Sequence, residues 1–134
     1  MVRRTTEKVI FPELSYQTTG LLFEAHNELG RFAREVQYAA VFEQHLQKHG
    51  IPYKREAVIP IGNIPVQTTN NRVDFFIDDK ILVEFKAKPA LERNDYVQLH
   101  RYLQTIDISL GILVNLRERF LRPRRIVKQT IRDI

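Results

Sequence analysis

The strongest constraint on the fold is segment 72–88, where two apolar runs, 73–77 and 81–85, flank the short polar stretch 78–80. Both runs are rich in β-branched and aromatic residues, and such a pair around a short polar connection is typical of a β-hairpin. The segment therefore predicts two antiparallel strands joined by a tight loop.

Three charged residues interrupt this hairpin: Asp74 in its first strand, and Glu84 and Lys86 in its second. Burying an unpaired ion costs on the order of several kcal/mol, so these charges need compensating partners. Because Glu84 and Lys86 are two residues apart, both project from the same face of their strand, while Phe85 projects from the other face.

The length of the hairpin loop decides where Asp74 lies relative to Glu84. A three-residue loop, 78–80, puts Asp74 opposite Glu84, whereas a two-residue loop shifts the register and puts the carboxylates on opposite faces. We predict the three-residue loop, or a bulge near Asp74. Two carboxylates on one face repel each other unless a cation lies between them, and Mg²⁺ or Mn²⁺, which prefer oxygen ligands, would meet this need. Lys86 alone is the alternative source of positive charge.

The charged residues of the hairpin resemble a known signature. Val73-Asp74, followed after a spacing of ten by Glu84-Phe85-Lys86, is similar to the signature of the PD-(D/E)xK nucleases, with Val73 where the family has Pro. Within that superfamily, the chain most resembles the small bacterial proteins called GxxExxY proteins. The resemblance implies a metal site made of Asp74, Glu84 and the Phe85 carbonyl, and it implies that Lys86 acts on the attacking water.

Helical periodicity precedes the hairpin. Apolar residues spaced three and four apart predict a first helix over 16–29, with Ser15 as its cap and Gly30 at its end, and a second helix over 33–49. The apolar stripe of the second helix contains Tyr38, Ala39, Phe42 and Leu46.

Glu35 falls within this stripe rather than opposite it. Two interpretations are open: a first-turn acid that the helix dipole favours, or a further acidic group near the metal. Glu35 and Tyr38 match the Glu and the Tyr for which GxxExxY proteins are named, although Phe32 stands where their Gly would be. The resemblance implies that Glu35 completes the active site.

The strands outside the hairpin predict a mixed sheet. Segment 53–61 alternates in polarity, and the turn residues Gly62-Asn63 with a returning run at 64–68 predict a meander of antiparallel strands. Segment 108–116 is almost continuously apolar, which is typical of a strand buried on both faces and paired in parallel. Gly111 within it indicates a close backbone approach.

A third helix follows Pro89, and we expect Asp95 to cap it with Gln98 as its capping-box partner. Gln98 and Tyr102 are four residues apart and resemble the Gln-x-x-x-Tyr motif found in many nucleases of the superfamily. The resemblance implies that they position the substrate and Lys86, although the same pair taken alone is ordinary on a helix surface. The apolar stripe of this helix contains Tyr96, Leu99, Leu103 and Ile106.

The tail, 117–134, holds seven of the 21 Lys and Arg residues. One interpretation is a solvated terminal segment. The other, which the interleaved Ile126, Val127 and Ile131 favour, is an ordered strand or helix whose basic face binds phosphates without reading sequence. The basic residues are Arg117, Arg119, Arg122, Arg124, Arg125, Lys128 and Arg132.

The order of elements predicts one domain over 1–134, an α/β (α+β) mixed sheet flanked by helices, with 1–12 as a lead-in. It matches the restriction-endonuclease-like core that the resemblance implies. The net charge of +5 and the pI near 9.7 favour a polyanionic partner. The absence of cysteine, of a secretory signal and of a long apolar run predicts a cytoplasmic protein without a membrane partner.

The main functional hypothesis is a Mg²⁺- or Mn²⁺-dependent nuclease that hydrolyses nucleic acid, DNA rather than RNA, with little sequence specificity. The alternative is a catalytically inactive member of the same fold that binds nucleic acid or a protein partner. A third interpretation treats Asp74 and Lys86 as a structural ion pair, with Glu84 solvated. A homodimer is compatible with the hypothesis, because cutting a duplex takes two sites.

Overall fold

The computed structural model describes residues 10–60 and 71–128, and within them a five-stranded mixed sheet is flanked by three helices. The strands are β1 (Tyr53–Val58), β2 (Arg72–Ile77), β3 (Ile81–Lys86), β4 (Leu110–Asn115) and β5 (Arg124–Val127), and they lie in the sheet in this order. Strands β3 and β4 are parallel, and the other neighbours are antiparallel. The predicted α/β class is therefore confirmed. The helices are α1 (Pro12–Leu29) and α2 (Glu35–Lys48), which precede β1, and α3 (Arg93–Ile106), which connects β3 to β4.

The sheet separates two hydrophobic clusters. On the side of α1 and α2, Phe42 packs edge-on against Phe75 and Phe85, with ring centroids 4.9 and 5.9 Å away. On the other side, α3 packs Leu99 and Leu103 against the sheet. These contacts bury the predicted stripe of α2 and, in α3, the stripe residues Leu99 and Leu103, while Tyr96 and Ile106 are partly buried. No helix among the described residues is long and apolar enough to cross a membrane.

The β2–β3 hairpin has the predicted register. Phe75 pairs with Val83 and Ile77 pairs with Ile81, which leaves a three-residue loop, 78–80. The β2–β3 pairing ends at Phe75, so Asp74, the preceding residue of β2, lies just beyond it. The two strands therefore stop exchanging backbone hydrogen bonds where the charged residues begin.

The pairing of β1 with β2 is irregular at Asp74, where the side chains of β2 change from one face of the sheet to the other. Arg55 pairs with Phe75 and Ala57 with Val73, which sets Glu56 opposite Asp74. Phe75 packs on the α1–α2 side of the sheet, but Val73 packs on the α3 side, although strict alternation would keep them together. Glu56 has a left-handed backbone with φ of 50°, which a non-glycine residue rarely adopts. The sheet is thus distorted beside Asp74.

Two predicted helix caps are wrong. Helix α1 begins at Pro12, because proline suits the first helical position, and Ser15 is buried inside the helix. Helix α3 begins at Arg93 after Glu92, and Asp95 is its third residue, whose carboxylate accepts the Glu92 N–H at 2.7 Å. Gln98 lies within the helix, beyond this cap.

The predicted meander is also wrong, because β1 ends at Val58 and pairs directly with β2. The turn predicted at Gly62-Asn63 and the strand predicted at 64–68 lie outside the described residues, as do most of the lead-in and positions 129–134 of the tail.

All six residues of β4 are buried, and β4 pairs in parallel with β3, as predicted. The close approach expected at Gly111 comes from α3. A Cβ atom at this position would lie 3.0 Å from Leu99 Cδ2.

Gly111→Ala should therefore lower the free energy of unfolding by about 1–3 kcal/mol, because the new methyl group overpacks the contact with Leu99. Urea denaturation measures the change. Gly20→Ala is the matched control: nothing lies within 4 Å of its added Cβ, and an exposed helix position should gain about 1 kcal/mol. In a Leu99→Ala background the cost of Gly111→Ala should shrink; an undiminished cost would locate the strain elsewhere.

Candidate active site

Two reciprocal hydrogen bonds bring Asp74 and Glu84 together. The Phe85 N–H donates to Asp74 Oδ2 at 2.7 Å, and the Asp74 N–H donates to Glu84 Oε1 at 3.1 Å. Each carboxylate thus accepts a backbone N–H from the opposite strand, just where the β2–β3 ladder has ended. The two acids meet as the hairpin register predicted.

Glu84 is strongly perturbed by this environment. Its pKa is raised to about 9 by burial first, then by the negative charge of Asp74 and a hydrogen bond with the Asp74 side chain, while the charge of Lys86 acts in the opposite direction. The Glu84 side chain is only 12% exposed. Two oxygen-rich carboxylates that cannot both ionise without added positive charge are chemically suited to a hard divalent cation.

A cleft of about 200 Å³ opens beside these acids. Glu35, the first residue of α2, lines it. Burial raises the pKa of Glu35, and the charge of Asp74 adds to the effect. The remaining lining residues come from three strands and α2: Val36, Ala39, Arg55, Glu56, Arg72, Val73, Asp74 and Glu84.

Glu35 lies in the electrostatic field of Asp74 and Lys86. However, no three acidic, histidine or cysteine side chains among the described residues form a cluster that would hold a metal ion. Direct ligation by Glu35 stays a prediction.

The Lys86 ammonium group lies between two carboxylates. Its Nζ is 3.8 Å from Glu84 Oε2 and 3.9 Å from Asp95 Oδ1. Glu84 and Lys86 share a face, as predicted. The structural-pair interpretation is wrong, because no ion pair in the described part of the chain joins Asp74 to Lys86, and Glu84 is buried rather than solvated.

Asp95 is the site residue that sequence reasoning missed. Its side chain is 8% exposed, and it also holds Lys88 Nζ at 3.0 Å. Hydrogen bonds from Glu92 and Lys88 and the charges of both lysines outweigh burial, so the pKa of Asp95 is lowered. Only the alternation of Lys86 and Lys88 just before an acidic first turn hinted at this contact.

The two residues of the predicted Gln-x-x-x-Tyr motif lie in different surroundings. Tyr102 is buried, its hydroxyl donates to Asn71 Oδ1 at 3.3 Å, and its pKa is raised by burial and then by the charge of Glu84. Gln98 lines a separate polar groove with Lys88 and Arg101. Tyr102 therefore lies in the electrostatic field of Glu84, whereas Gln98 lies in the groove that Lys88 also lines.

Much of the basic tail is paired within the protein. Arg124 donates to both carboxylate oxygens of Glu118 at 2.7 and 2.8 Å, and Arg122 lies 3.7 Å from the same side chain. Lys128 pairs with Asp107. The ordered strand predicted for this segment is present as β5, but its ion pairs reduce the positive charge available to phosphates. Arg132 lies outside the described residues.

Three tail arginines make no ion pair with a described residue. Arg125 Nη2 donates to the Ile10 carbonyl at 3.2 Å, and Arg117 Nη2 donates to the Ala87 carbonyl at 3.5 Å. Arg119 is exposed and lies over the ring of Phe120. Binding of nucleic acid by the tail stays a prediction.

Comparison with known proteins gives one family. The family model described as the PD-(D/E)XK nuclease superfamily matches residues 12–128. Among solved structures, the crystal structure of SSO0001 is similar at 17% sequence identity and a TM-score of 0.49, covering 85% of this chain and 67% of that chain. No curated protein matches the chain.

The raised pKa of Glu84 predicts how stability depends on pH in the absence of metal. The native state holds a proton that the unfolded chain releases above 4.5, so the free energy of unfolding should fall as the pH rises from 4.5 to about 9. Glu84→Gln removes this charge and should raise the stability at the alkaline end by at least about 1 kcal/mol. Thermal melts in a chelator, with the exposed Glu24→Gln as control, measure the difference; identical pH profiles for wild type and Glu84→Gln would contradict it.

Proposed function

Since the chain belongs to the PD-(D/E)XK nuclease superfamily, we propose that it is a divalent-metal-dependent nuclease that hydrolyses phosphodiester bonds in DNA with little sequence specificity. The observation that carries the proposal is the pair Asp74 and Glu84, locked together by backbone N–H groups with Lys86 beside them. Within the superfamily we assign the chain to the GxxExxY proteins.

Support for that assignment comes from the segment before α2. Tyr38 is buried, and its hydroxyl donates to the Gly30 carbonyl. This hydrogen bond ties the loop that precedes Glu35 to the body of the helix. A Glu and a Tyr three residues apart would thus have separate tasks: Glu35 reaches the cleft, and Tyr38 fixes the loop that leads into it.

Asp74, Glu84 and the Phe85 carbonyl would hold Mg²⁺ or Mn²⁺, with Glu35 contributing directly or through water. When bound, such an ion polarises a phosphate oxygen and lowers the pKa of its water. The chain's own contribution is to keep two acids adjacent in a partly enclosed cleft, because their hydrogen bonds to β2 and β3 prevent them from turning away.

Lys86 would orient the attacking water or offset the negative charge that develops on the phosphate. Asp95 would keep the Lys86 side chain on the α3 side of Glu84, since both carboxylates lie within 4 Å of its ammonium group. Tyr102 and Gln98 would position the phosphate backbone, and basic residues would hold it by charge, which accounts for weak sequence preference.

Mn²⁺ should bind the wild-type protein, and Asp74→Ala should weaken binding at least about tenfold, because one of two acidic ligands is lost. Titration calorimetry measures the binding. Asp79→Ala is the control, since Asp79 is an exposed acid in the hairpin loop that pairs with Lys54. A folded wild-type protein that binds no Mn²⁺ would refute the metal-dependent nuclease; binding without cleavage of plasmid or single-stranded DNA would favour the inactive nucleic-acid-binding alternative.

Lys86→Ala should lower the cleavage rate by about 10²- to 10³-fold while Mn²⁺ binding and the melting temperature stay near those of wild type, because the lysine acts on the reaction rather than on the fold. Plasmid nicking under excess enzyme measures the rate. Lys80→Ala, in the exposed hairpin loop, should cleave normally. Unchanged turnover by Lys86→Ala would remove this residue from the mechanism.

A further inference from the structure

Two exposed Arg–Phe pairs stand out on the surface. Arg31 lies over the ring of Phe32 at 4.7 Å from its centroid, and Arg119 lies over the ring of Phe120 at 5.4 Å. Phe32 is 74% exposed and Phe120 is 76% exposed. Each pair presents a large aromatic face beside a guanidinium group, in a loop rather than in a packed element.

The two loops are held by one pair of stacked rings. The Tyr38 hydroxyl donates to the Gly30 carbonyl, and His26 Nε2 donates to the Leu116 carbonyl at 3.2 Å. The rings of His26 and Tyr38 stack with centroids 6.2 Å apart. Loop 30–34 and loop 116–123 therefore leave the same part of the molecule.

Both loops also adjoin the candidate active site. Loop 30–34 runs directly into Glu35, which lines the cleft. The Leu116 N–H donates to the Lys86 carbonyl at 2.8 Å, and Arg117 donates to the next carbonyl, that of Ala87. A strand of nucleic acid in the cleft would pass beside the two Arg–Phe pairs.

The charges of the two loops differ from those of β5. Arg122 pairs with Glu118, as Arg124 of β5 does. The other four arginines of the two loops are exposed and form no ion pair with another described residue. They are therefore available to phosphates. These four arginines are Arg31, Arg34, Arg117 and Arg119.

We infer that these two loops, the Arg–Phe clamp, bind unpaired nucleotides, so that the site acts on single-stranded nucleic acid or on the single-stranded part of a larger one. Unpaired bases stack on aromatic rings and guanidinium planes, whereas a duplex buries the faces of its bases. Two aromatic rings among four unpaired arginines are complementary to bases and phosphates. The inference rests on the proposed function, because it names the substrate class of the same site.

The chain contains no tryptophan, so a single introduced tryptophan reports on its own surroundings. Phe32→Trp and Phe120→Trp, each in a Lys86→Ala background that slows cleavage, should lose fluorescence when titrated with oligothymidylate in a chelator. An abasic oligonucleotide of the same length, which keeps the phosphates, should leave the fluorescence unchanged. Gln44→Trp is the control, because Gln44 is exposed on α2 about 13 Å along the helix from Glu35.

Affinity gives an independent measurement. Phe32→Ala and Phe120→Ala should each weaken binding of single-stranded DNA about tenfold, as loss of a stacked base implies, and should leave binding of a blunt duplex unchanged. Phe→Tyr at either position should retain the affinity, because it keeps the aromatic face.

Equal quenching by the abasic oligonucleotide or by a duplex would overturn the clamp, since its rings would then not contact bases. Self-association of the wild-type protein that Phe32→Ala or Phe120→Ala abolishes would instead make these loops an interface between copies. These experiments distinguish failure of the clamp from failure of the proposed function. Quenching without any Lys86-dependent cleavage would refute the nuclease and support the clamp. Lys86-dependent cleavage of a duplex without quenching would support the nuclease and refute the clamp.

Discussion

The site depends on the exchange of hydrogen bonds between the carboxylates of Asp74 and Glu84 and the backbone of the opposing strands. A buried N–H group needs an acceptor, and the β2–β3 ladder supplies none beyond Phe75 and Val83. The carboxylates of Asp74 and Glu84 act as the acceptors of these N–H groups. The interaction that completes the hairpin therefore also forces two acids together, and Glu84 holds a proton up to a pH of about 9 unless a cation offsets the second negative charge.

The remaining elements act on that pair by position. The aromatic contacts of Phe42 with Phe75 and Phe85 hold α2 against the sheet, and this brings Glu35 to the cleft. On the opposite side, α3 is the connection from β3 to its parallel neighbour β4, and it places Asp95 beside Lys86. Charge is thus arranged from both faces of the sheet around the end of β3.

Features set by local periodicity could be predicted from the sequence. The register of Asp74 and Glu84 followed from a three-residue loop and the two-residue repeat of strands, and the burial of β4 followed from its unbroken apolar run. The cap of α1 was missed because Pro12 at the first helical position outweighed Ser15. The role of Asp95 was missed because a first-turn acid looks the same whether it satisfies only its own helix or also binds two lysines on another element.

The long-range features could not be predicted in the same way. Direct pairing of β1 with β2 depends on which strands meet in the sheet, and the two hydrophobic patterns alone do not encode that choice.

The ion pairs of the basic tail could not be predicted from the sequence either. Counting arginines assigned the positive surface to 117–134, but a charge acts on a partner only when no nearer carboxylate neutralises it.

Arg124 is held by both oxygens of Glu118, and Lys128 is held by Asp107, so these cations contribute little field beyond their own pairs. Arg31 and Arg119 lie instead over exposed aromatic rings, where the cation keeps its long-range attraction for phosphate. The same net charge of +5 is consequently unevenly available over the surface. Among the described residues, it is available at the two loops beside the acidic pair, where a polyanionic substrate would otherwise meet the negative charge of Asp74.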